Sequence, residues 1–120
     1  MLARKAKGQL FENEARLFLE KKGLNFRDNN AHAKGGEIDL VMQDNNCIVF
    51  VEVRFRKKAT YGNAAETVTY SKRQRMLRAA MFWLMRNGYP SESTEFRFDI
   101  VSFDGSADNV HWLPAISIEG

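Results

Sequence analysis

The chain has 120 residues, 44% hydrophobic and 28% charged, a composition that suits one globular domain and excludes a fibrous repeat or global disorder. Its single cysteine, Cys47, excludes an intrachain disulfide and a cysteine-built zinc site. The net charge is +3 and no long apolar span follows the basic N-terminus, so the expectation is a soluble, cytoplasmic protein with no membrane segment.

Residues 8–22 predict an amphipathic helix, because Phe11, Ala15, Phe18 and Leu19 share one stripe at spacings of three and four. Gly23 is its stop. Residues 24–32 read as a weaker strand, interrupted by Asp28-Asn29-Asn30. Residues 36–43 and 48–56 read as two strands around Asp44-Asn45-Asn46-Cys47. Asparagine tolerates positive φ, so Asn45 and Asn46 suit the centre of a tight turn. Residues 57–63 read as a loop, and 64–68 as a short helical turn. Residues 72–87 predict a second helix, with Ser71 and Gln74 as a capping box and Gly88 just past its end. A strand over 95–103 and a short one over 110–113 follow. The tail after Pro114 carries no pattern.

A two-residue turn at Asn45-Asn46 fixes a register for the hairpin. It sets Gln43 opposite Ile48, Val41 opposite Phe50, Asp39 opposite Glu52 and Glu37 opposite Arg54. The other face pairs Met42 with Val49, Leu40 with Val51 and Ile38 with Val53, all apolar, and is expected to pack on a core. Two carboxylates directly opposite each other repel. In partly buried surroundings that cost is offset by protonation, by cations or by a metal. A hard divalent ion such as Mg²⁺ takes carboxylate oxygens and keeps several waters. The alternative is a surface pair neutralised by Arg54 and Arg56, with Arg54 engaged by Glu37.

Two cationic runs flank this hairpin and the second helix. Arg54, Arg56, Lys57 and Lys58 form one, and Lys72, Arg73, Arg75 and Arg78 the other. Clusters of this kind neutralise phosphates or form a solvated surface. Lys72, Arg73 and Arg75 crowd the helix N-terminus, where the macrodipole is already positive, which suits a phosphate-facing role. His32 and His111 have no metal-pair spacing. Asp99, in an apolar strand run, reads as a structural partner for an arginine. Trp83 and Trp112 read as core.

Asp39 followed by Glu52-Val53-Arg54 resembles the metal-site pattern of the PD-(D/E)xK nuclease superfamily, an Asp and then Glu-x-Lys on the next strand. Longer strings resemble the bacterial YraN-like family of small proteins. They are Gly35-Gly36-Glu37-Ile38-Asp39-Leu40-Val41, Val49-Phe50-Val51-Glu52-Val53-Arg54-Phe55-Arg56, Lys72 ahead of a helix, and Phe96-Arg97-Phe98-Asp99-Ile100-Val101. The resemblance runs from the first helix to Trp112. That family is similar to compact nucleases of the archaeal Holliday-junction-resolvase kind.

The resemblance implies an α/β, restriction-endonuclease-like mixed central sheet flanked by helices. It implies Mg²⁺ or Mn²⁺ held by Asp39 and Glu52 with the Val53 carbonyl, joined by an acidic residue of the first helix. Glu12, three before Ala15, is the match and lies near the buried stripe; Glu14 competes. Arg54 departs from the superfamily's lysine. Arginine stays protonated, so it orients phosphate or stabilises charge but is a poor general base. Lys72 is the candidate for the missing amine, since helix-borne lysines take that role in some superfamily members.

The expected function is therefore metal-dependent cleavage of phosphodiester bonds in DNA, branched or single-stranded. Glu12, Asp39, Glu52, Arg54 and Lys72 would form the catalytic set, with Arg56, Lys57, Lys58, Arg73 and Arg75 tracking the backbone. Resolvase-like cutting of two strands would favour a homodimer. The alternatives are a non-catalytic nucleic-acid-binding protein on the same scaffold, or an interaction module in a DNA-processing complex.

Overall fold

The computed structural model describes residues 4–57 and 67–118. Helix α1 spans Arg4–Lys21 and starts ahead of the apolar stripe that predicts it. Phe11, Ala15 and Leu19 are buried on one side. The helix ends in a Schellman motif, with the Leu24 N–H on the Leu19 carbonyl at 3.1 Å and the Gly23 N–H on Glu20 at 3.0 Å. Gly23 supplies the required positive φ of 99°.

Five strands follow: β1 Asn25–Ala33, β2 Gly36–Asp44, β3 Cys47–Arg56, β4 Phe96–Asp104 and β5 Val110–Leu113. They form one sheet in sequence order. Only β3 and β4 pair in parallel. Parallel neighbours need a crossover connection, which here contains helix α2, Tyr70–Arg86. Each helix covers one face of the sheet. Under α1, Leu40, Met42, Val49, Val51, Val101 and Phe103 join Phe11, Ala15 and Leu19. Under α2, Ile38, Val41, Ile48, Phe50, Phe98 and Ile100 join Met76, Ala80, Trp83 and Leu84. Cover on both faces explains why Ile48 to Val51 is an unbroken apolar run.

The β2–β3 hairpin has the expected register from Asp44–Cys47 to Leu40–Val51, with Asn45 at φ 54°. Beyond Leu40 the expectation fails. The Val53 N–H donates to Asp39 Oδ2 at 2.8 Å, so a side chain replaces the next rung and the strands part. The expected Asp39–Glu52, Ile38–Val53 and Glu37–Arg54 pairs are all outside the register. Glu37 instead lies 3.8 Å from His32. Ile38 packs with Val41, Ile48 and Phe50 under α2, not with Leu40 and Met42.

Helix α2 also corrects its predicted start. Its N-cap is Thr69, whose hydroxyl accepts the Lys72 N–H at 3.1 Å; Ser71 lies inside the helix. A Thr69→Ala substitution should cost about 1 kcal/mol in urea unfolding, the usual value of a lost cap. The C-terminus is as expected, with Gly88 at φ 79° and the Tyr89 N–H on the Leu84 carbonyl at 2.8 Å.

Asp99 is the structural partner its sequence context suggests. Wholly buried, it accepts from Arg97 Nε at 3.0 Å, Trp112 Nε1 at 3.0 Å and the Ala115 N–H at 2.9 Å. These bonds tie β5 and the tail to the sheet. Trp83 is buried in the core, with its Nε1 on Asp28 at 2.9 Å.

Candidate functional site

The parting of β2 and β3 brings together carboxylates from three elements. Asp39 comes from β2, Glu52 from β3 and Glu12 from α1. Glu52 is buried, 4% exposed, with its carboxyl within hydrogen-bonding reach of Asp39. Asp39 keeps one oxygen on the Val53 N–H and also repels Glu12. Asp39 is thus the charge that both other acids feel. Glu12 is the helix acid turned toward this site, and its Oε1 is buried with no hydrogen-bond partner.

Burial pushes the Glu52 carboxyl up to about 8, and the neighbouring Asp39 charge adds to the rise. Lys72 and Arg54 oppose the shift without cancelling it. Burial likewise raises Glu12 to about 7, again helped by Asp39; the Asn30 side chain pulls it down. Both groups have an ordinary value of 4.5. Between about 4.5 and 8 the folded chain thus binds more protons than the unfolded one, and stability must fall as pH rises through that window. Thermal unfolding in EDTA should show a midpoint that declines from pH 5 to pH 8 and levels off above. A rising midpoint would contradict buried, mutually repelling acids.

Two cations reach Glu52. Lys72 Nζ, from the first turn of α2, is 3.6 Å from its Oε2, and Arg54 Nη1 is 3.6 Å from the same oxygen. The sequence places Lys72 and Glu52 twenty residues apart; the α2 crossover makes them neighbours. Arg54 Nη2 also donates to the Thr67 carbonyl at 3.5 Å.

The remaining cations divide. Arg56 makes a bidentate pair with Asp104, at 2.8 and 3.0 Å, and is only 15% exposed. Arg73 donates to the Val68 carbonyl at 3.0 Å and the Ser117 carbonyl at 3.1 Å. Both therefore have partners within the fold. Arg75 is exposed and lines a cleft with Lys72, His32, Gly36 and Glu37. Lys57 is exposed on the other side, at a cavity shared with Glu12 and Asp39. Lys58 and the predicted helical turn at 64–66 lie outside the described residues.

The site suits a hard divalent cation. Its acids offer carboxylate oxygens, and Glu12 Oε1 is buried without a hydrogen-bond partner. Among the described residues no three His, Cys, Asp or Glu side chains gather closely enough to enclose an ion. The fit is thus to an ion held by one or two carboxylates that retains waters, as Mg²⁺ does.

Asn30 and the Phe11–Phe55 wall of the cavity were missed from the sequence. Asn30 had a weak signal, as a polar break within a strand; its φ of 49° marks the kink that aims it at Glu12. Phe55 had none, because its partner lies on another element.

A five-stranded mixed sheet with a helix on each face, and acids where the central hairpin opens, is a restriction-endonuclease-like fold. The chain belongs to the family described as Uncharacterised protein family UPF0102, whose model matches residues 11–103. A UPF0102 protein of Aliivibrio salmonicida is 40% identical over 117 residues, covering 98% of this chain and 95% of the relative. A Yersinia enterocolitica UPF0102 protein is 49% identical over 107 residues, covering 89% and 90%. A third, from Klebsiella pneumoniae, is 48% identical over 109 residues, covering 91% and 84%. Among the described residues no helix is long and apolar enough to cross a membrane.

Proposed function

We propose that the chain is a metal-dependent nuclease of the PD-(D/E)xK superfamily, cleaving phosphodiester bonds in DNA. The observation that carries this reading is the meeting of Glu12, Asp39 and Glu52 from three elements, with the Lys72 amine 3.6 Å from Glu52. Asp39 and Glu52 would hold Mg²⁺ or Mn²⁺, with Glu12 acting directly or through a water. When bound, such an ion neutralises phosphate charge and acidifies a water. The Val53 N–H fixes the Asp39 carboxyl through Oδ2. Lys72 supplies the amine that position 54 lacks. Arg54 stays protonated and is suited to stabilising charge on the scissile phosphate. Arg75 and Lys57 extend the cationic surface to either side. Cutting two strands favours a homodimer, and the same reading puts the protein in the cytoplasm.

The test is incubation of the purified protein with duplex, branched and single-stranded DNA in Mg²⁺ or Mn²⁺. Cleavage that stops with EDTA is expected; no cleavage of any substrate with either metal contradicts catalysis. Arg54 favours a second reading, a binding protein on the same scaffold without turnover. In that case Asp39→Ala leaves DNA binding intact or tightens it, because a negative charge is removed.

A further inference from the structure

The chain after Pro114 carries no sequence pattern, yet it follows a fixed course. The Ala115 N–H donates to the buried Asp99 at 2.9 Å, and Ala115 takes a positive φ of 55°. The Ile116 N–H then donates to the Phe98 carbonyl at 2.8 Å. Ile116 and Ile118 pack against the cluster under α2. The tail therefore leaves the β5 edge and lies along the α2 face of the sheet.

Arg73 meets it there. Its guanidinium joins two backbone carbonyls from separate segments, with Nε on Val68 at 3.0 Å and Nη1 on Ser117 at 3.1 Å. Val68 immediately precedes the Thr69 cap of α2, and Ser117 lies in the tail. The planar fork of arginine suits such bridging, which a point charge does not reproduce. Its neighbour Lys72 reaches Glu52 instead, 3.6 Å away. Consecutive residues on a helix project about 100° apart, so the two contacts together fix the rotation of the first turn about the helix axis.

That turn needs outside support. Helix ends fray, and cations in a first turn oppose the macrodipole. The first turn of α2 holds Lys72 and Arg73 and no acid. Its other ties, the Lys72 N–H on the Thr69 hydroxyl and the Arg73 N–H on the Thr69 carbonyl, are local and move with the helix.

We propose that Arg73 is a positioning residue: by tying the first turn of α2 to Val68 and to the C-terminal tail, it holds the Lys72 amine against Glu52. The inference rests on the nuclease reading only for the use that Lys72 makes of this place. Through Arg73 the tail supports the site from a distance, and Arg73 lies off the DNA path.

Arg73→Met keeps a long side chain and removes its donors. Lys72 would be followed in metal-free protein by trace labelling with acetic anhydride, read at each lysine by mass spectrometry. Its side chain is only 20% exposed, so release from Glu52 shows as faster labelling. Glu52→Gln, which removes the partner charge directly, supplies the reference rate. In Arg73→Met, Lys72 should label about tenfold faster, the population change that one lost charge-assisted hydrogen bond allows, with Lys22 and Lys57 at their natural rates. Labelling of Lys72 at its natural rate, or of every lysine faster alike, overturns the proposal. Weaker DNA binding in EDTA with Lys72 unchanged would place Arg73 on the phosphate backbone instead. In Mn²⁺, Arg73→Met should lower kcat about ten- to a hundredfold with KM near that of the natural chain, the cost of misplacing a group beside the reaction. A raised KM with kcat unchanged marks lost substrate binding and contradicts the positioning role. Faster labelling in a protein that cleaves nothing keeps the positioning and removes the nuclease, while cleavage with Lys72 labelling unchanged does the reverse.

Discussion

Glu52→Gln should lower metal-dependent cleavage by about 10³-fold or more, the scale of removing a preorganised charge from a reacting phosphate's surroundings. The substitution keeps the shape of the side chain and removes its ability to ionise. It should also flatten the decline in metal-free stability between pH 5 and pH 8. That decline arises largely because Glu52 rises to about 8 through burial and Asp39, and an amide does not titrate. Loss of cleavage together with a flatter stability profile would show one group acting in both. Unchanged cleavage would remove Glu52 from the proposed catalytic set. An unchanged pH profile would mean that its carboxyl is not under the strain assigned to it.

Gly36→Ala should destabilise the fold by roughly 3 kcal/mol or more, at the upper end of overpacking costs. The added Cβ would stand 2.1 Å from the Arg75 carbonyl oxygen. Both atoms belong to backbone positions, so no side chain can swing aside; α2 itself must move away from β2. Total stabilities of small domains are only about 5–15 kcal/mol, so a large share is at stake. The damage would reach the site as well, because Lys72 lies one turn from Arg75 and meets Glu52 only while α2 is seated. Urea unfolding reads the first effect. A Gly36→Ala protein within about 0.5 kcal/mol of the natural chain, the range of ordinary surface changes, would contradict the close approach.

The hairpin was legible because two β-rich runs flank Asn45 and Asn46, which supply a turn that locks the register. Legibility ended at Asp39. A pattern of apolar alternation assumes a continuous ladder, and nothing local says that a carboxylate will take the Val53 N–H and part the strands. The same break turns Ile38 toward α2.

The cationic runs show a second limit. Arg56 and Arg73 look like Lys72 and Arg75 in sequence, yet Asp104 and the Val68 and Ser117 carbonyls engage the first two. Asp104 and Ser117 come from distant segments, and the Val68 carbonyl is backbone, so charge spacing alone could not sort them. Thr69 was passed over as a cap because Ser71 and Gln74 offered a complete local motif. Glu12 became a candidate only through resemblance, and its contact with the Asp39 charge is a tertiary one.

The most direct test of the account is a crystal of this protein soaked in Mn²⁺. The expected result is an anomalous peak between the Asp39 and Glu52 carboxylates, on the side facing Glu12. A peak elsewhere, or none at a Mn²⁺ concentration that supports cleavage, would contradict the metal site on which the proposed nuclease depends.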